Sequence, residues 1–378
     1  MERPGFACQG NRRPGGSPAR RAREGAPGAV DIAGSRFQPA RVNRFAPTRR
    51  VTIADVAQHA GVSKTTVSHV ISGNRPVSSG TRARVETAIA ELGYRPDGIA
   101  RSLRTRRTHM VALIIPDITN PFYPILARGL ERALDGRGYR AFICNSDGET
   151  ERELDFLAEV CDRRVDGIVI DSFHLTARDV EDITRNEIPV VWVGDAAPTH
   201  PALDSVRSDD EHGAFEATTH LISRGHRSIA IVDGPEGSGT ARRDGYLRAL
   251  SQAGIARAPE LAVRCDWTRA GGAGALDGLL SAASPPTAVF CSNDLSAIGA
   301  IDAARDRGLD VPGDLAIVGF DDIEEAAMTT PPLTTVRNPA FETGETAGTL
   351  LADRMSNAFD GAARTIRLAA PLIVRASS

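Results

Sequence analysis

From Met110 to the C-terminus, short β-branched and apolar runs alternate with stretches that have helical periodicity. Strands that alternate with helices along a chain pair in parallel, because each helix returns the chain to the same end of the sheet. Helices cover both faces of such a sheet, so its strands are apolar almost throughout. The predicted strands are Val111–Ile115, Arg140–Cys144, Gly167–Ile170, Val190–Val193, Ile229–Val232, Ala288–Cys291 and Leu315–Val318. The pattern therefore predicts an α/β core of parallel sheets flanked by helices.

The number of sheets follows less directly from this pattern. One large sheet and two smaller lobes are both compatible with the series of strands. The series is interrupted near residues 195–210, and this interruption favours two lobes. A last strand is expected from Leu372 to Arg375.

Three short helices are predicted between residues 51 and 94. Thr52 and Ser63 are residue types that cap helix N-termini, and Gly61 between them permits a tight turn. The second helix is expected from Lys64 to Ser72 and the third from about Thr81 to Leu92. This order of elements is typical of an all-α helix-turn-helix domain.

The second of these helices has two different faces. Val67, Val70 and Ile71 are spaced three and four residues apart and so face a small core. Four polar residues fall on the opposite face, where they are free to enter a DNA major groove: Lys64, Thr65, Ser68 and His69. A helix pair that only packs has the same periodicity, so this pattern alone leaves both interpretations open.

The charge distribution favours DNA as a partner. Residues 1–108 carry 20 Lys and Arg against 7 Asp and Glu, whereas the remaining 270 residues carry 25 against 41. One end of the chain is therefore suited to a polyanion and the rest is ordinary and acidic. A solvated basic tail is the alternative. Residues 1–50 are rich in Arg, Gly, Pro and Ala without any period, which predicts disorder.

Cysteine usage and hydropathy bear on the compartment. The five cysteines include no C-x-x-C pair, no run of about 18 apolar residues is present, and the N-terminus lacks an apolar signal segment. We therefore expect a cytoplasmic protein that does not contact a membrane. No metal-binding or catalytic motif stands out, so we expect no metal, no cofactor and no enzymatic activity.

Specific motifs across residues 52–108 resemble the DNA-binding domain of the LacI/GalR (lactose repressor) family. They are Ile71-Ser72-Gly73-Asn74, Leu92-Gly93-Tyr94-Arg95-Pro96 and Ile99-Ala100-Arg101-Ser102-Leu103, besides the helical segment itself. The similarity continues to the C-terminus through Pro116-Asp117-Ile118-Thr119-Asn120-Pro121-Phe122, Gly319-Phe320-Asp321-Asp322 and Pro332-Leu333-Thr334-Thr335-Val336. Only residues 1–50 lie outside it.

The resemblance implies how DNA is contacted. The second helix would lie in the major groove, and the DNA-contacting residues on it would be Lys64, Thr65, Thr66, Ser68 and His69. The family usually has Arg where His69 stands; His69 would read a different base or only contact phosphate. Residues 97–108 would form a hinge helix and linker, in which Arg101 contacts DNA and Leu103 wedges a base step in the minor groove.

The resemblance also implies a periplasmic-binding-protein-like core with a small-molecule effector between its lobes. The implied effector contacts are Phe122, Arg242, Trp267 and Asp294, and two residues at predicted strand ends, Ser172 and Asp195, are further candidates. Without the resemblance, Arg242 would be interpreted as part of an ion pair on the surface, Asp294 as a helix N-cap and Trp267 as a residue of the hydrophobic core. The implied ligand is sugar-like, because these residues suit a hydroxylated molecule.

Two other classes of protein remain as alternatives. Residues 234–240 are glycine-rich, follow a strand and precede a helix, so they could cradle phosphate in an enzyme, but they lack the Gly-Lys-Ser/Thr of a P-loop. A free solute-binding protein is the other alternative. The basic helical domain and the missing export signal both argue against it.

The expected domain organisation follows. Residues 1–50 form an extension, 51–96 the helix-turn-helix domain, 97–108 the hinge and 109–378 the effector domain. Its N-lobe is expected at about 109–207 and 338–361, and its C-lobe at about 208–337 and 362–378. A homodimer on a pseudo-palindromic operator is expected, because one short helix reads too few base pairs alone.

Overall fold

The computed structural model describes residues 51–73, 75–94, 107–162, 165–195 and 197–378. The chain divides into two units, Met1–Tyr94 and Arg95–Ser378. Residues 1–50, Arg101 and Leu103 lie outside the described residues, so the predictions made for them stay predictions.

The first unit contains three helices: α1 (Ile53–Ala60), α2 (Lys64–Ser72) and α3 (Ser79–Leu92). Thr52 and Asp55 form a capping box at the start of α1, and Gly61 ends that helix at φ 64°. Left-handed backbone of this kind favours glycine, and it turns the chain directly into α2. Val67 of α2 is fully buried in the core between the helices. The predicted helices and their apolar faces are confirmed, although α3 starts slightly earlier than expected.

The second unit contains two lobes, each with its own sheet of six strands. In the first lobe all strands are parallel, in the order β11-β5-β4-β3-β1-β2. Its strands are β1 (Met110–Ile115), β2 (Arg140–Asn145), β3 (Gly167–Ile170), β4 (Val190–Val193), β5 (Asp204–Ser208) and β11 (Thr365–Leu368). Its helices are α4 (Phe122–Asp135), α5 (Thr150–Asp162), α6 (Ala177–Thr184) and α12 (Ala340–Met355).

The second lobe has the order β12-β10-β9-β8-β6-β7, in which only the short β12 is antiparallel to its neighbour. Its strands are β6 (Ile229–Asp233), β7 (Ala262–Arg264), β8 (Ala288–Cys291), β9 (Ala316–Asp321), β10 (Thr334–Arg337) and β12 (Leu372–Ile373). Its helices are α7 (Asp210–Ser223), α8 (Thr240–Gln252), α9 (Arg269–Leu280), α10 (Asp294–Asp306) and α11 (Glu324–Met328). The two-lobed α/β prediction is confirmed.

The boundary between the lobes corrects one expectation. Residues 362–378 were assigned to the second lobe, but Thr365–Leu368 pairs with Asp204–Ser208 in the first sheet. Only the last strand, Leu372–Ile373, joins the second sheet. The chain thus crosses between the sheets three times: before α7, before α12 and between β11 and β12.

Helices α4 and α12 pack closely in the first lobe, and glycine makes this possible. A Cβ on Gly129 would lie 2.1 Å from the carbonyl oxygen of Phe341, and one on Gly344 would lie 1.9 Å from that of Leu126. Both backbones therefore approach to a distance that only glycine allows. None of the helices in the described ranges is long and apolar enough to span a membrane.

Candidate functional site

Helix α2 presents the residues predicted to read DNA. Lys64 and Thr65 at its first turn are exposed, whereas Ser68 and His69 are half-buried. Thr66 is also half-buried, and its hydroxyl lies 2.9 Å from that of Ser63, which caps the helix. The exposed first turn is thus free for a partner, while Thr66 contributes to the cap.

A cleft between the lobes of the second unit is the other candidate site. It contains about 610 Å³ of empty space, counting its open mouth. Asp171 and Asp195 follow β3 and β4, and Asp321 ends β9. The cleft therefore lies at the carboxyl ends of the strands, where parallel α/β sheets bind ligands.

Arg242 lies at the centre of the second lobe's side of this cleft. Its Nε donates to Asp210 Oδ2 at 2.8 Å, and its Nη2 lies 3.5 Å from Asp321 Oδ1. Its guanidinium carbon also lies 3.9 Å from the ring centroid of Phe320. Burial by itself lowers the pKa of Arg242, but Asp210 and Asp321 raise it above its ordinary value. Arg242 is therefore a permanently charged, oriented group with only 8% of its surface exposed.

Asp171 faces the cleft from the first lobe. The Tyr123 hydroxyl donates to its Oδ2 at 3.0 Å. Burial raises the pKa of Asp171 to about 7, and it raises the pKa of Tyr123 well above its usual range. Desolvation favours the neutral form of a carboxyl group, so Asp171 exchanges its proton close to neutral pH.

Asp195 is the second acidic group of the first lobe. Burial, and after it the charge of Asp210, raises the pKa of Asp195 to about 7. Its Oδ2 is buried and has no hydrogen-bond partner among the described residues. Burial likewise raises the pKa of Asp321 to about 6. The cleft thus holds several carboxyl groups whose protonation state can change when a ligand binds.

Trp267 forms an aromatic wall together with Phe173, whose ring centroid lies 5.5 Å away in an edge-to-face arrangement. The Trp267 Nε1 donates to Ser292 Oγ at 2.9 Å, and Asn293 Nδ2 donates to the Trp267 carbonyl at 2.9 Å. Trp267 has φ 62° and Asp321 has φ 115°. Left-handed backbone at non-glycine residues costs energy and is typical of functional sites.

Four of the six predicted effector contacts line the cleft: Phe122, Asp195, Arg242 and Trp267. Arg242 forms an ion pair, as expected without the family resemblance, but it is buried in the cleft instead of lying on the surface. Trp267 is half-buried at the cleft and is not a core residue.

Ser172 and Asp294 do not reach the cleft, which corrects the prediction. Ser172 is fully buried; its hydroxyl donates to Glu153 and accepts the amide of Leu175 at 3.2 Å. Asp294 is also fully buried and accepts from the Thr335 hydroxyl at 2.6 Å and the Ile323 amide at 2.9 Å. The N-cap of α10 is Asn293, so Asp294, the first residue of that helix, instead connects it to strand β10 and to the turn before α11.

Several lining residues were missed by the sequence analysis, among them Tyr123, Asp171, Phe173, Asp210 and Asp321. The rule that ligands meet the carboxyl ends of strands gives a signal for Asp171 and Asp321. It selected Ser172 because a strand end cannot be placed to within one residue from the sequence. Nothing in the sequence marks Tyr123 or Phe173.

Two segments of the chain match known protein families. Residues 218–378 match the periplasmic binding protein-like domain, and residues 52–97 match the family described as bacterial regulatory proteins, lacI family. The catabolite control protein A of Priestia megaterium is 40% identical over 309 residues, which is 81% of this chain and 93% of that protein. The ribose operon repressor of Escherichia coli K12 has the same identity and coverage.

Solved structures give the same result. The lac repressor dimer bound to operator and an anti-inducer has a TM-score of 0.77 at 27% identity, with 87% of this chain and 99% of that chain covered. A complex of the transcriptional regulator CelR with cellobiose has a TM-score of 0.66 at 32% identity, with 87% and 100% covered. The class defined by the fold is a helix-turn-helix regulator with a two-lobed, periplasmic-binding-protein-like domain. The chain belongs to the lacI family of bacterial regulatory proteins.

Proposed function

We propose that the protein is a homodimeric transcription repressor that binds a pseudo-palindromic DNA operator, and that a small molecule in the cleft changes its operator affinity. The observation that carries this proposal is the cleft at the strand ends, lined by buried, charged side chains, in a chain that also has an exposed reading helix. A binding site and a DNA-reading helix in one chain are the two components of a ligand-controlled regulator.

The proposed reading contacts are made by Lys64, Thr65, Ser68 and His69, with Thr66 at the helix cap. Arg101 and Leu103 are proposed to contact the minor groove from the hinge at residues 97–108. A leucine wedge of this kind costs a few kcal/mol of base unstacking, which a bent and better contacted operator repays.

The proposed effector contacts are Phe122, Asp195, Arg242 and Trp267, to which the geometry adds Asp171. Carboxylates and a guanidinium suit the hydroxyl groups of a polar, sugar-like ligand, and aromatic rings stack on its apolar faces. The named ligands of similar proteins, ribose and cellobiose, are of this class.

We further propose that the protein has no enzymatic activity and acts in the cytoplasm, where operator DNA is found. The glycine-rich residues 234–240 would have a binding role only, because Gly239 lines the same cleft. The boundaries at residues 50, 96 and 108 are proposed as the limits of the extension, the DNA-binding domain and the hinge.

The test is a gel-shift titration on a duplex selected from a random library. Lys64→Ala and Thr65→Ala should each lose about 1–3 kcal/mol of discrimination, which is roughly a 5- to 150-fold loss of affinity for the selected duplex. Arg84→Ala, which removes an exposed positive charge from α3, is the control and should change affinity far less. Equal effects of all three substitutions would contradict the assignment of α2 as the reading helix.

A further inference from the structure

The charges that line the cleft are strongly unbalanced. Among the described lining residues, Asp171, Asp195, Asp210 and Asp321 carry carboxyl groups, and Arg242 is the cation. An anionic ligand, such as a phosphorylated metabolite, would place further negative charge among these groups in a poorly solvated site, which is unfavourable. The cleft instead suits a ligand that donates hydrogen bonds.

The guanidinium group of Arg242 already has its bonding partners within the second lobe. Arg242 donates from Nε to Asp210 and from Nη1 to the Ser292 carbonyl, and its Nη2 lies near Asp321. No direct salt bridge reaches Asp171 or Asp195 within the described ranges. The charges of Arg207 and Arg367 do act on Asp195, but neither side chain lines the cleft, and Arg367 lies 3.5 Å from Asp209.

Two buried polar atoms provide a second, independent observation. Asp195 Oδ2 and Thr343 Oγ1 both belong to cleft-lining residues, and neither has a hydrogen-bond partner among the described residues. Only 3% of the Thr343 surface is exposed. A buried polar atom without a partner is unfavourable, so these two atoms mark places where a ligand would supply the missing bonds.

Aromatic rings line the same space. Phe122, Tyr123, Phe173 and Trp267 all border the cleft. The faces of aromatic rings attract cations, and they also pack against the apolar face of a sugar ring. Carboxylates and aromatic faces together are suited to an ammonium group on a hydroxylated ring.

We propose that the effector is an aminated polyol of the amino-sugar type, whose protonated amine lies between the carboxylates of Asp171 and Asp195 and one of whose hydroxyls bonds Thr343. This proposal rests on the proposed function, since it names the chemical class of the molecule in the same cleft. The amine supplies the positive charge that the first lobe's acidic groups lack.

The titration of these groups gives the proposal a second readout. Burial raises the pKa of both Asp171 and Asp195 to about 7. The charges of Glu153 and Asp210 add to these increases. They are opposed by the positive charges of Arg242, Arg207 and Arg367 and by the hydrogen bond from the Tyr123 hydroxyl. An ammonium group favours the ionised carboxylates. Protons therefore compete with the amine, and its affinity should fall between pH 7 and pH 5, where the amine itself stays mostly protonated.

The experiment is a thermal-shift titration of the full chain with matched pairs of probes: glucosamine against glucose, and galactosamine against galactose. N-acetylglucosamine adds a neutral amide in place of the amine. At least one amine should raise the melting temperature at pH 7 with an affinity tenfold or more above those of its neutral partners, because a ligand stabilises the state it binds. An equal or greater shift by the neutral member, or no shift by either amine, overturns the proposal.

Variants separate charge from shape. Asp195→Asn keeps the size of the side chain and should reduce the amine's affinity at least tenfold, and Thr343→Val should reduce it several-fold. Asp182→Asn, on the exposed face of α6, is the matched control and should not change it. Operator binding by the ligand-free protein is measured in parallel, so a failed amine preference with intact operator binding rejects this inference alone.

Discussion

At the scale of single residues, the cleft depends on close contacts that particular side chains permit. A Cβ on Gly234 would lie 2.2 Å from Cε2 of Trp267. Gly234→Ala should therefore displace the indole ring and destabilise the protein by about 1–3 kcal/mol, with a weaker effector response. Gly274→Ala in helix α9 meets nothing within 4 Å and should instead stabilise the protein by up to about 1 kcal/mol.

Urea unfolding followed by circular dichroism compares these two alanine variants. The urea concentration at the unfolding midpoint should be highest for Gly274→Ala, intermediate for the wild type and lowest for Gly234→Ala. A Gly234→Ala protein as stable as the wild type would show that the indole ring has room to move.

The cleft carboxyl groups make the unliganded protein sensitive to pH. In the unfolded chain an aspartate titrates near pH 3.9, whereas Asp171 and Asp195 in the folded protein titrate at about 7 and Asp321 at about 6. A raised folded-state pKa means that the native state binds more protons between these values, so stability falls as pH rises from about 4 to 7.

Asp171→Asn tests this dependence, because the amide stays neutral at every pH. At pH 8 its free energy of unfolding should exceed that of the wild type by more than about 1 kcal/mol, since one pKa unit corresponds to about 1.4 kcal/mol. At pH 5, where native Asp171 is neutral but the unfolded aspartate is already ionised, the difference should be smaller, and it should vanish only below about pH 4. Denaturant titrations at both pH values measure the difference; an equal effect of the substitution at pH 5 and pH 8 would remove the titration as its cause.

Residue-level prediction from the sequence succeeded where chemistry and spacing acted together. Arg242 and Trp267 were placed in the cleft through the family resemblance, and Asp195 through its position after a strand. Asp294 was misplaced because an acidic residue after a strand has two options, the cleft or the space behind it. Its bonds to Thr335 and Ile323 involve residues far away in sequence, which no local pattern reveals.

At the scale of helices and strands, a buried ion cluster joins three elements of the first lobe. Asp204 of β5 is fully buried and accepts from Arg354 of α12 and from Arg364 just before β11, at 2.8 Å and 2.7 Å. Burial by itself raises the pKa of Asp204, but the bonds from both guanidinium groups outweigh it and lower the pKa. This cluster explains why residues 365–368 join the first sheet.

Asp204→Ala should leave two partly buried guanidinium groups without their shared partner and destabilise the first lobe by about 3 kcal/mol. Asp135→Ala removes an exposed partner of Arg140 and should cost less than about 1 kcal/mol. Chemical unfolding of both variants measures the contrast. Equal costs for the buried and the exposed pair would contradict the role given to the cluster.

The strands themselves were predictable to different degrees. Central strands that are apolar over most of their length, such as Ile229–Asp233, were found from the sequence. Four strands were missed because each is very short or mixes polar and charged residues with few apolar ones: Asp204–Ser208, Ala262–Arg264, Thr334–Arg337 and Thr365–Leu368. The apparent interruption near residues 195–210 was therefore partly a polar strand, although it did indicate the first crossing between the lobes.

At the scale of the whole molecule, one chain contains a helix-turn-helix unit and a two-lobed effector-binding unit. Its two-lobed architecture was predictable because the strand and helix periods alternate so clearly. The assignment of residues 362–378 to one lobe failed because the last two strands separate into different sheets over a few residues. The proposed coupling needs only about 1.4 kcal/mol to change operator affinity tenfold.

Sequence-specific DNA binding by this protein is measured by a competition titration. The full chain is titrated onto its best selected duplex and onto random duplex of equal length at physiological salt, without and with the amino sugars. We predict an affinity for the selected duplex at least about 10³-fold higher than for random DNA. An affinity ratio close to one under every condition would contradict the account.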